Sequence, residues 1–381
     1  MPSSDDSVVD PEEAYTRALG QLRANSSRHG FLAAPHDRRN YRSIWARDGC
    51  LCAVAAYVSG DAALIDTARR TLRTLAAHQA PNGQVPSYLQ VGADDSLGEV
   101  NYGGYGEVTG IDSSLWFIFA CHSVFRQAGE HEFVEHPLHD RYREVIRYLS
   151  SIDANSCGLL EIPIAGDWSD ILNRSYHVLY DEVLWFRALF GCAELARDAG
   201  HADDATRYAR MAEQVWLRLN EDFWWDSRET VERVAARYMI RNALPQDPRL
   251  RYYQSHLTPF LNTWSHRFDA LANVLAALMG VAPADRVEAI VHGVQERGLD
   301  RPYPLRVLDP PIREGDPDAY QLRLSDEPPY QYHNGGIWPL AGGFWVTLLA
   351  QLGHREEAAK ALGRLGAALR LSRPGEEPWG Q

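Results

Sequence analysis

A loop near the middle of the sequence places two carboxyl groups on either side of a tryptophan. Residues 166–170 read Gly-Asp-Trp-Ser-Asp, and their reactive side chains are Asp167, Trp168 and Asp170. The helix-forming segment that follows carries Glu182 near its start. Carboxylates placed close together lower the stability of a fold, so such a group is more typical of a functional site. The loop therefore favours a functional site over an ordinary solvated loop, with Trp168 and Glu182 as candidate substrate-binding residues.

Two further groups combine a carboxylate with a tryptophan at the start of a helix. Trp45 precedes Arg47 and Asp48, and an adjacent Arg and Asp can clamp sugar hydroxyls beside an aromatic platform. The alternative is that Asp48 is a helix cap next to a surface arginine. In the second group Asp112 stands four residues before Trp116. A helix-capping role and a ligand-binding role explain the position of Asp112 equally well.

Two groups in the later part of the chain contain histidine. His266 and Arg267 stand before an apolar helix and are candidate substrate-binding residues, although a structural role is the more common one for such a histidine. Residues 332–339 read Tyr-His-Asn-Gly-Gly-Ile-Trp-Pro. Here His333, Asn334 and Trp338 can bond or stack with a ligand, while the glycines allow close backbone approach. The alternative is a tight turn closed by core aromatics.

The elements that must position these groups are helices of two alternating kinds. One kind is apolar nearly all round and therefore predicted to be buried, and each of the five groups lies at the start of such a helix. These inner helices are predicted at Asp48–Ser59, Ile111–Ala128, Leu179–Ala199, His266–Gly280 and Ile337–Gly353. The other kind is amphipathic, and these outer helices are predicted at Pro11–Ser27, Asp61–Gln79, Leu138–Ser151, Ala202–Asp222, Ala284–Arg297 and His354–Leu371.

This alternation predicts an all-α fold, an (α/α)6 toroid formed by residues 1–381 as one domain. Six outer helices and five inner ones are found, so a closed toroid needs one more inner helix after Leu371. Either the toroid is open at this point or the sequence is part of a longer protein, and residues 372–381 are expected to begin a loop whose following helix is absent. Residues 1–9 are expected to be disordered.

Composition narrows the function classes. The net charge of -13 and the lack of a clustered basic stripe argue against nucleic acid or membrane surfaces as partners. The acidic N-terminus does not resemble a secretory signal, and no apolar run approaches the roughly 20 residues that span a bilayer. An odd number of cysteines, five, is typical of free thiols in a reducing compartment. We expect a cytoplasmic protein without a metal site, because Cys50 and Cys52 lack a ligand set with zinc spacing.

Several of these motifs resemble the six-hairpin glycosidases. Within that family they resemble the neutral/alkaline invertases and the bacterial amylo-α-1,6-glucosidase (glycogen-debranching) and mannosylglycerate-hydrolase-like groups. The resemblance rests on residues 44–48 (IWARD), 111–116 (IDSSLW), 267–280 (RFDALANVLAALMG) and 332–339 (YHNGGIWP), in matching order along nearly the whole chain.

The resemblance implies an inverting hydrolase, in which one carboxyl group protonates the leaving oxygen and another activates water. It implies Asp170 as the general acid, with Asp167 second, and a sugar subsite that includes Asp48. Lining residues of the same subsite are expected to be Asp112, Trp116, His333, Asn334 and Trp338. No cofactor is implied, since the reaction needs only water and two carboxyl groups.

The family's base is a glutamate beyond the last outer helix of this chain. Glu376 and Glu377 stand near that point, but their neighbours differ from the family pattern, so no base is assigned. The expected partner is a carbohydrate, with an α-glucoside preferred and sucrose as the alternative. A sugar epimerase that uses two pocket histidines, and a sugar-binding toroid without catalysis, stay open.

Overall fold

The computed structural model describes residues 10–36, 41–129, 131–170, 172–241, 250–260, 264–319 and 327–370. Within these ranges the chain is mostly helical, with twelve α-helices and seven short strands. The all-α prediction is therefore confirmed. The segments expected to be disordered or to begin a further loop, 1–9 and 372–381, lie outside the described residues.

The helices follow one another in pairs along the chain, close to the predicted bounds. They are α1 Pro11–Ala24, α2 Ala46–Ser59, α3 Ala62–Ala77, α4 Ile111–Ala128, α5 His131–Ile152, α6 Leu179–Asp198, α7 Ala202–Arg218, α8 Arg228–Arg237, α9 Ala270–Leu278, α10 Ala284–Glu296, α11 Pro339–Gln351 and α12 Arg355–Arg370. Helix α8 was not predicted. The segment that extended the predicted helix to Asp222 is a π-helical turn, Leu219–Phe223.

Local sequence signals set several helix ends. Asp61 accepts hydrogen bonds from the backbone N–H groups of Ala63 and Leu64 and so begins α3. Gly60 ends α2 in the left-handed conformation, with φ of 71°, which glycine adopts without strain. The predicted helix at 266–280 begins only at Ala270, because Asp269 caps it through the Ala272 N–H group.

The short strands were not predicted, and several of them run directly into an inner helix. One antiparallel sheet contains β1 (Ser43–Trp45), β2 (Tyr88–Val91) and β3 (Leu97–Asn101). Two antiparallel pairs are formed by β4 (His177–Val178) with β5 (His256–Leu257) and by β6 (Phe268–Asp269) with β7 (Leu308–Asp309). Strands β1, β4 and β6 end where α2, α6 and α9 begin, so they fix the first turns of those helices.

Packing divides the described residues into two compact units. The first unit comprises Leu19–Asp170 and Leu184–Leu217, and the second comprises the remaining described residues. In the first unit α2 packs against α3 and α4, and in the second α11 packs against α9 and α12. Closure of all helices into one toroid stays a prediction.

Burial separates four of the five inner helices into two groups. In α4 every residue of 111–125 except Phe119 is buried, and in α9 residues 270–276 are all buried. Helices α2 and α11 are buried along one side only, with Val58 of α2 71% exposed. The prediction of burial on all sides is therefore right for α4 and α9 and wrong for α2 and α11. Among the described helices, none combines the length and the continuous apolar character that a membrane span needs.

Candidate active site

The acidic loop of the first unit is fastened to the start of α4. The N–H group of Ile111 donates to the carbonyl oxygen of Gly166 at 2.8 Å. A side chain at Gly166 would meet the ring of Pro163 at 2.7 Å, so the turn requires glycine there. The neighbouring Ala165 adopts a left-handed conformation with φ of 62°. The loop is thereby held beside the first turn of α4, which carries Asp112.

The two carboxyl groups of the loop differ in their surroundings. The Ser169 N–H group donates to Asp167 Oδ1 at 2.7 Å, and Asp167 is only 6% exposed. Trp168 between them is buried. Asp170 at the end of the loop is half-buried. Asp170 is thus the more accessible of the two candidate acids.

An ion pair joins the first turns of two helices next to this loop. Arg47 of α2 donates from Nη1 to Asp112 Oδ2 of α4 at 2.6 Å. The Ala46 N–H group donates to the carbonyl oxygen of Ser87 at 2.9 Å, which fixes the start of α2. The adjacent Asp48 is exposed. The structure therefore pairs the predicted Arg47 with Asp112 and leaves Asp48 open to solvent.

The charges of this group act together on Asp170. Burial raises the pKa of Asp170 to about 7, the nearby Arg47 guanidinium opposes the rise, and the carboxylates of Asp112, Asp167 and Asp48 add to it. Part of the Asp170 population therefore still carries its proton near neutral pH. A carboxylic acid in that state is suited to donate a proton to a leaving group.

The predicted tryptophans occupy different positions in the first unit. Trp45 is half-buried and stacks on Tyr88 with ring centroids 4.6 Å apart. Trp116 is 1% exposed and packs edge-on against Phe119 at 5.2 Å. Trp45 thus presents part of its surface beside Arg47, whereas Trp116 is a core residue whose ligand-binding role stays a prediction.

The remaining predicted residues lie in the second unit, beginning with Glu182. Glu182 is fully buried in the first turn of α6, and its Oε1 atom lies 3.8 Å from His177 Nδ1. Near it in sequence, Arg174 pairs with Asp269 at 2.5 Å, with both side chains buried. Sequence reasoning did not select Arg174 or Asp269. The capping position of Asp269 before an apolar helix was the available signal.

Arg267 is saturated by protein partners. Its guanidinium donates twice to Asp318, at 2.6 and 2.5 Å, and once to Asp316 at 2.8 Å. It also donates to the carbonyl oxygens of Pro310 and Pro311 at 2.8 and 2.9 Å. These bonds use all five N–H donors of an arginine. Arg267 therefore fastens the 310–318 loop, and the structure gives no support to its predicted sugar-binding role.

Asn334 has a similar structural role in the Asn-Gly-Gly turn. Its Oδ1 atom accepts from the Ile312 N–H group at 2.7 Å, and its Nδ2 donates to the carbonyl oxygens of Ile312 and Glu327 at 3.0 and 3.1 Å. A side chain at Gly336 would meet the Tyr332 carbonyl oxygen at 2.4 Å. The fully buried Asn334 thus joins two loops, which accounts for its position without a ligand.

The predicted histidines and the last tryptophan lie in aromatic surroundings. His333 is 1% exposed and stacks on Trp338 with ring centroids 4.9 Å apart. His266 is half-buried beside Trp225 at 5.8 Å, and burial lowers its pKa to about 4. His266 is therefore neutral at physiological pH. Glu376 and Glu377, the residues nearest the expected base, lie outside the described residues.

Two family models match this chain. Residues 8–257 match the bacterial alpha-L-rhamnosidase 6 hairpin glycosidase domain, and residues 182–374 match the amylo-alpha-1,6-glucosidase family. The chain belongs to the six-hairpin glycosidases. The recognition from sequence motifs is thereby confirmed.

Individual relatives of this six-hairpin glycosidase are distant. Neutral/alkaline invertase 3, chloroplastic, of Oryza sativa subsp. japonica is 22% identical over 87% of this chain. Alkaline/neutral invertase C, mitochondrial, of Arabidopsis thaliana is 22% identical over 85%. The chain spans 62% and 54% of the lengths of these two invertases.

Solved structures share the fold. The GH63 mannosylglycerate hydrolase from Thermus thermophilus in complex with glucose superposes with a TM-score of 0.65 at 14% identity, over 94% of this chain and 92% of that one. A rhamnosidase from Klebsiella oxytoca with rhamnose bound gives a TM-score of 0.59 at 16% identity, over 94% and 54%. These likenesses confirm the predicted six-hairpin fold type.

Proposed function

We propose that the chain hydrolyses O-glycosidic bonds and that Asp170 is its general acid. The observation that carries this proposal is the half-buried Asp170 carboxyl group, whose pKa rises to about 7 among Asp112, Asp167 and Asp48. Breaking a glycosidic bond requires a proton for the leaving oxygen, and a carboxyl group that is still protonated at neutral pH supplies it. Membership of the six-hairpin glycosidases agrees with this chemistry.

The proposed mechanism is inverting. Asp170 protonates the departing oxygen while a second carboxylate, about 6.5–9.5 Å away, takes a proton from the attacking water. We assign no residue to that base. Trp45 and Asp48 are the proposed sugar contacts in the first unit, because both side chains are accessible beside the Arg47–Asp112 pair. Asp167, already bonded to the Ser169 N–H group, is the second candidate acid.

An α-glucoside, cleaved from its end, is the proposed substrate class. The match of residues 182–374 to the amylo-alpha-1,6-glucosidase family supports this choice. The second candidate is sucrose, supported by the invertases that match over most of the chain. We propose a cytoplasmic location; among the similar proteins one is named a cytosolic invertase, while others are named chloroplastic or mitochondrial.

Glucose release tests the proposal. The purified chain is incubated with sucrose, isomaltose, panose, limit dextrin and glucosylglycerate, alongside Asp170→Asn and Asp203→Asn. Asp203 is exposed in the first turn of α7 and provides a matched loss of one carboxylate. We expect Asp170→Asn to lower turnover by about 10²- to 10⁴-fold, the usual contribution of a general acid, and Asp203→Asn to leave it unchanged.

The outcomes separate the proposed activity from its alternatives. Turnover that survives in Asp170→Asn would move the acid role to another residue. Sugar binding without hydrolysis of any substrate would instead favour a binding protein. Interconversion of sugar epimers without glucose release would favour an epimerase.

A further inference from the structure

A cleft of about 510 Å³ in the first unit is lined by three arginines. Arg28 lies in the loop after α1, Arg42 directly precedes β1, and Arg70 lies on α3. Asp95, in the turn between β2 and β3, is the acidic residue of the lining. None of the predicted active-site residues lines this cleft.

The charge of the cleft is opposite to that of the chain. The sequence carries a net charge of -13, whereas the lining has three arginines against one aspartate. Asp95 is shared between Arg28, at 3.3 Å from Nε, and Arg42, at 3.9 Å from Nη2. An anion repelled by most of the surface would therefore find a local positive potential here.

Backbone contacts hold the guanidinium groups in place. Arg28 donates from Nε and Nη2 to the carbonyl oxygen of Asp95, at 3.0 and 2.6 Å. Arg42 donates to the carbonyl oxygens of Gly92 and Pro35, at 3.2 and 2.9 Å. Among the described residues, Arg28 Nη1 forms no hydrogen bond, and Arg42 Nη2 has the 3.9 Å ion pair with Asp95. Arg28 Nη1 thus remains as a donor for a ligand, and Arg42 adds positive charge to the cleft.

Arg70 contributes positive charge to the cleft, whereas most of its N–H donors are bonded to other protein groups. It donates from Nε to the carbonyl oxygen of Ser27 at 3.2 Å and from Nη2 to Thr67 Oγ1 at 2.7 Å, and it pairs with Asp66. Its side chain is nevertheless 32% exposed. Arg70 therefore adds positive potential to the cleft while its orientation stays fixed.

We propose that this cleft binds a small phosphate compound through its phosphate group. Guanidinium groups that approach from three separate elements suit a tetrahedral anion, whereas a planar carboxylate is satisfied by one arginine fork. The volume is within the range of small-molecule sites, so an organic body fits beside the phosphate. Leu32 and Pro35 supply apolar wall for that body.

Calorimetric titration tests the site without reference to hydrolysis. The full chain is titrated with glycerol 3-phosphate, inorganic phosphate and glycerol. We expect saturable binding of the phosphates and none of glycerol. Tighter binding of the ester than of inorganic phosphate would identify an organic phosphate as the ligand, and equal binding would identify free phosphate, both through the proposed site.

Variants locate the binding. Arg28→Gln should weaken phosphate binding about tenfold or more, the value of one charge-assisted hydrogen bond, and Arg70→Gln should weaken it less. Arg210→Gln, a matched charge loss at an exposed position of α7, should leave it unchanged. Arg28 is 62% exposed, so its variant should fold, as circular dichroism would verify. The proposal would be overturned if the wild type showed no saturable phosphate binding. It would also be overturned if both cleft variants bound phosphate as strongly as the wild type.

Discussion

Replacing Asp170 by asparagine should stabilise the protein at alkaline pH, even though it removes the proposed acid. Folding raises the pKa of Asp170 from 3.8 to about 7, chiefly through burial. The folded state therefore keeps a proton that the unfolded chain has already released. The contribution of protonated Asp170 to the free energy of unfolding is complete below about pH 4, and it is lost as the pH rises through 7.

The size of the effect follows from the shift in pKa. A rise from 3.8 to about 7 is roughly three units, or about 4 kcal/mol at most. Asp170 is only half-buried, so solvent screening reduces this figure, and about 2 kcal/mol is a reasonable expectation. Asparagine resembles the protonated acid in shape and stays neutral at every pH. It should therefore avoid the loss that the wild type suffers.

Urea denaturation of wild type, Asp170→Asn and Asp203→Asn at pH 4.5 and pH 8 measures this difference. We expect Asp170→Asn to exceed the wild type in free energy of unfolding at pH 8, and the excess to shrink at pH 4.5. Asp203→Asn is the control for the loss of one exposed carboxylate. An Asp170→Asn protein that is less stable than wild type at pH 8 would refute the reasoning. It would mean that the Asp170 carboxylate is well stabilised in the fold.

Two more predictions concern charge. Arg47→Gln should raise the pKa of Asp170 and Asp112→Asn should lower it, because Arg47 opposes the rise and Asp112 supports it. The alkaline limb of the kcat/KM profile should move by about one unit in opposite directions, and movement in one common direction would contradict this. Asp222 is fully buried and pairs with Arg218, Arg233 and Arg237, so Asp222→Ala should lower the free energy of unfolding by about 3 kcal/mol in urea denaturation. A loss below about 1 kcal/mol would show that the arginines rehydrate at little cost.

Helix positions could be predicted where the sequence carries its own end signals. Both ends of the helix at 111–128 are correct, since a glycine stands on each side of a long apolar segment. The strands at 43–45, 177–178 and 268–269 could not be predicted, because two or three residues are too few to show alternation. Helix α8 carried a usable signal in Ser227, whose hydroxyl accepts from the Thr230 N–H group.

The candidate site was predictable where its residues are close in sequence. Asp167 and Asp170 share one loop, and their crowding was visible without a structure. The hydrogen bonds that occupy all donors of Arg267 were not predictable, because its partners Asp316 and Asp318 lie about fifty residues further along the chain. Local sequence can indicate which side chains are reactive. It cannot indicate which of them the tertiary fold has already paired.

The balance of charge around each buried group distinguishes structural residues from the proposed acid. Arg174 with Asp269, and Arg267 with Asp318, meet at hydrogen-bonding distance, so each charge stabilises its partner. Burial raises the pKa of Asp170, Arg47 opposes the rise, and the carboxylates of Asp112, Asp167 and Asp48 add to it. This environment lowers stability, because the fold must hold a carboxyl group that resists ionisation. Since proton donation requires that state, the environment of Asp170 has a chemical reason that the balanced pairs lack.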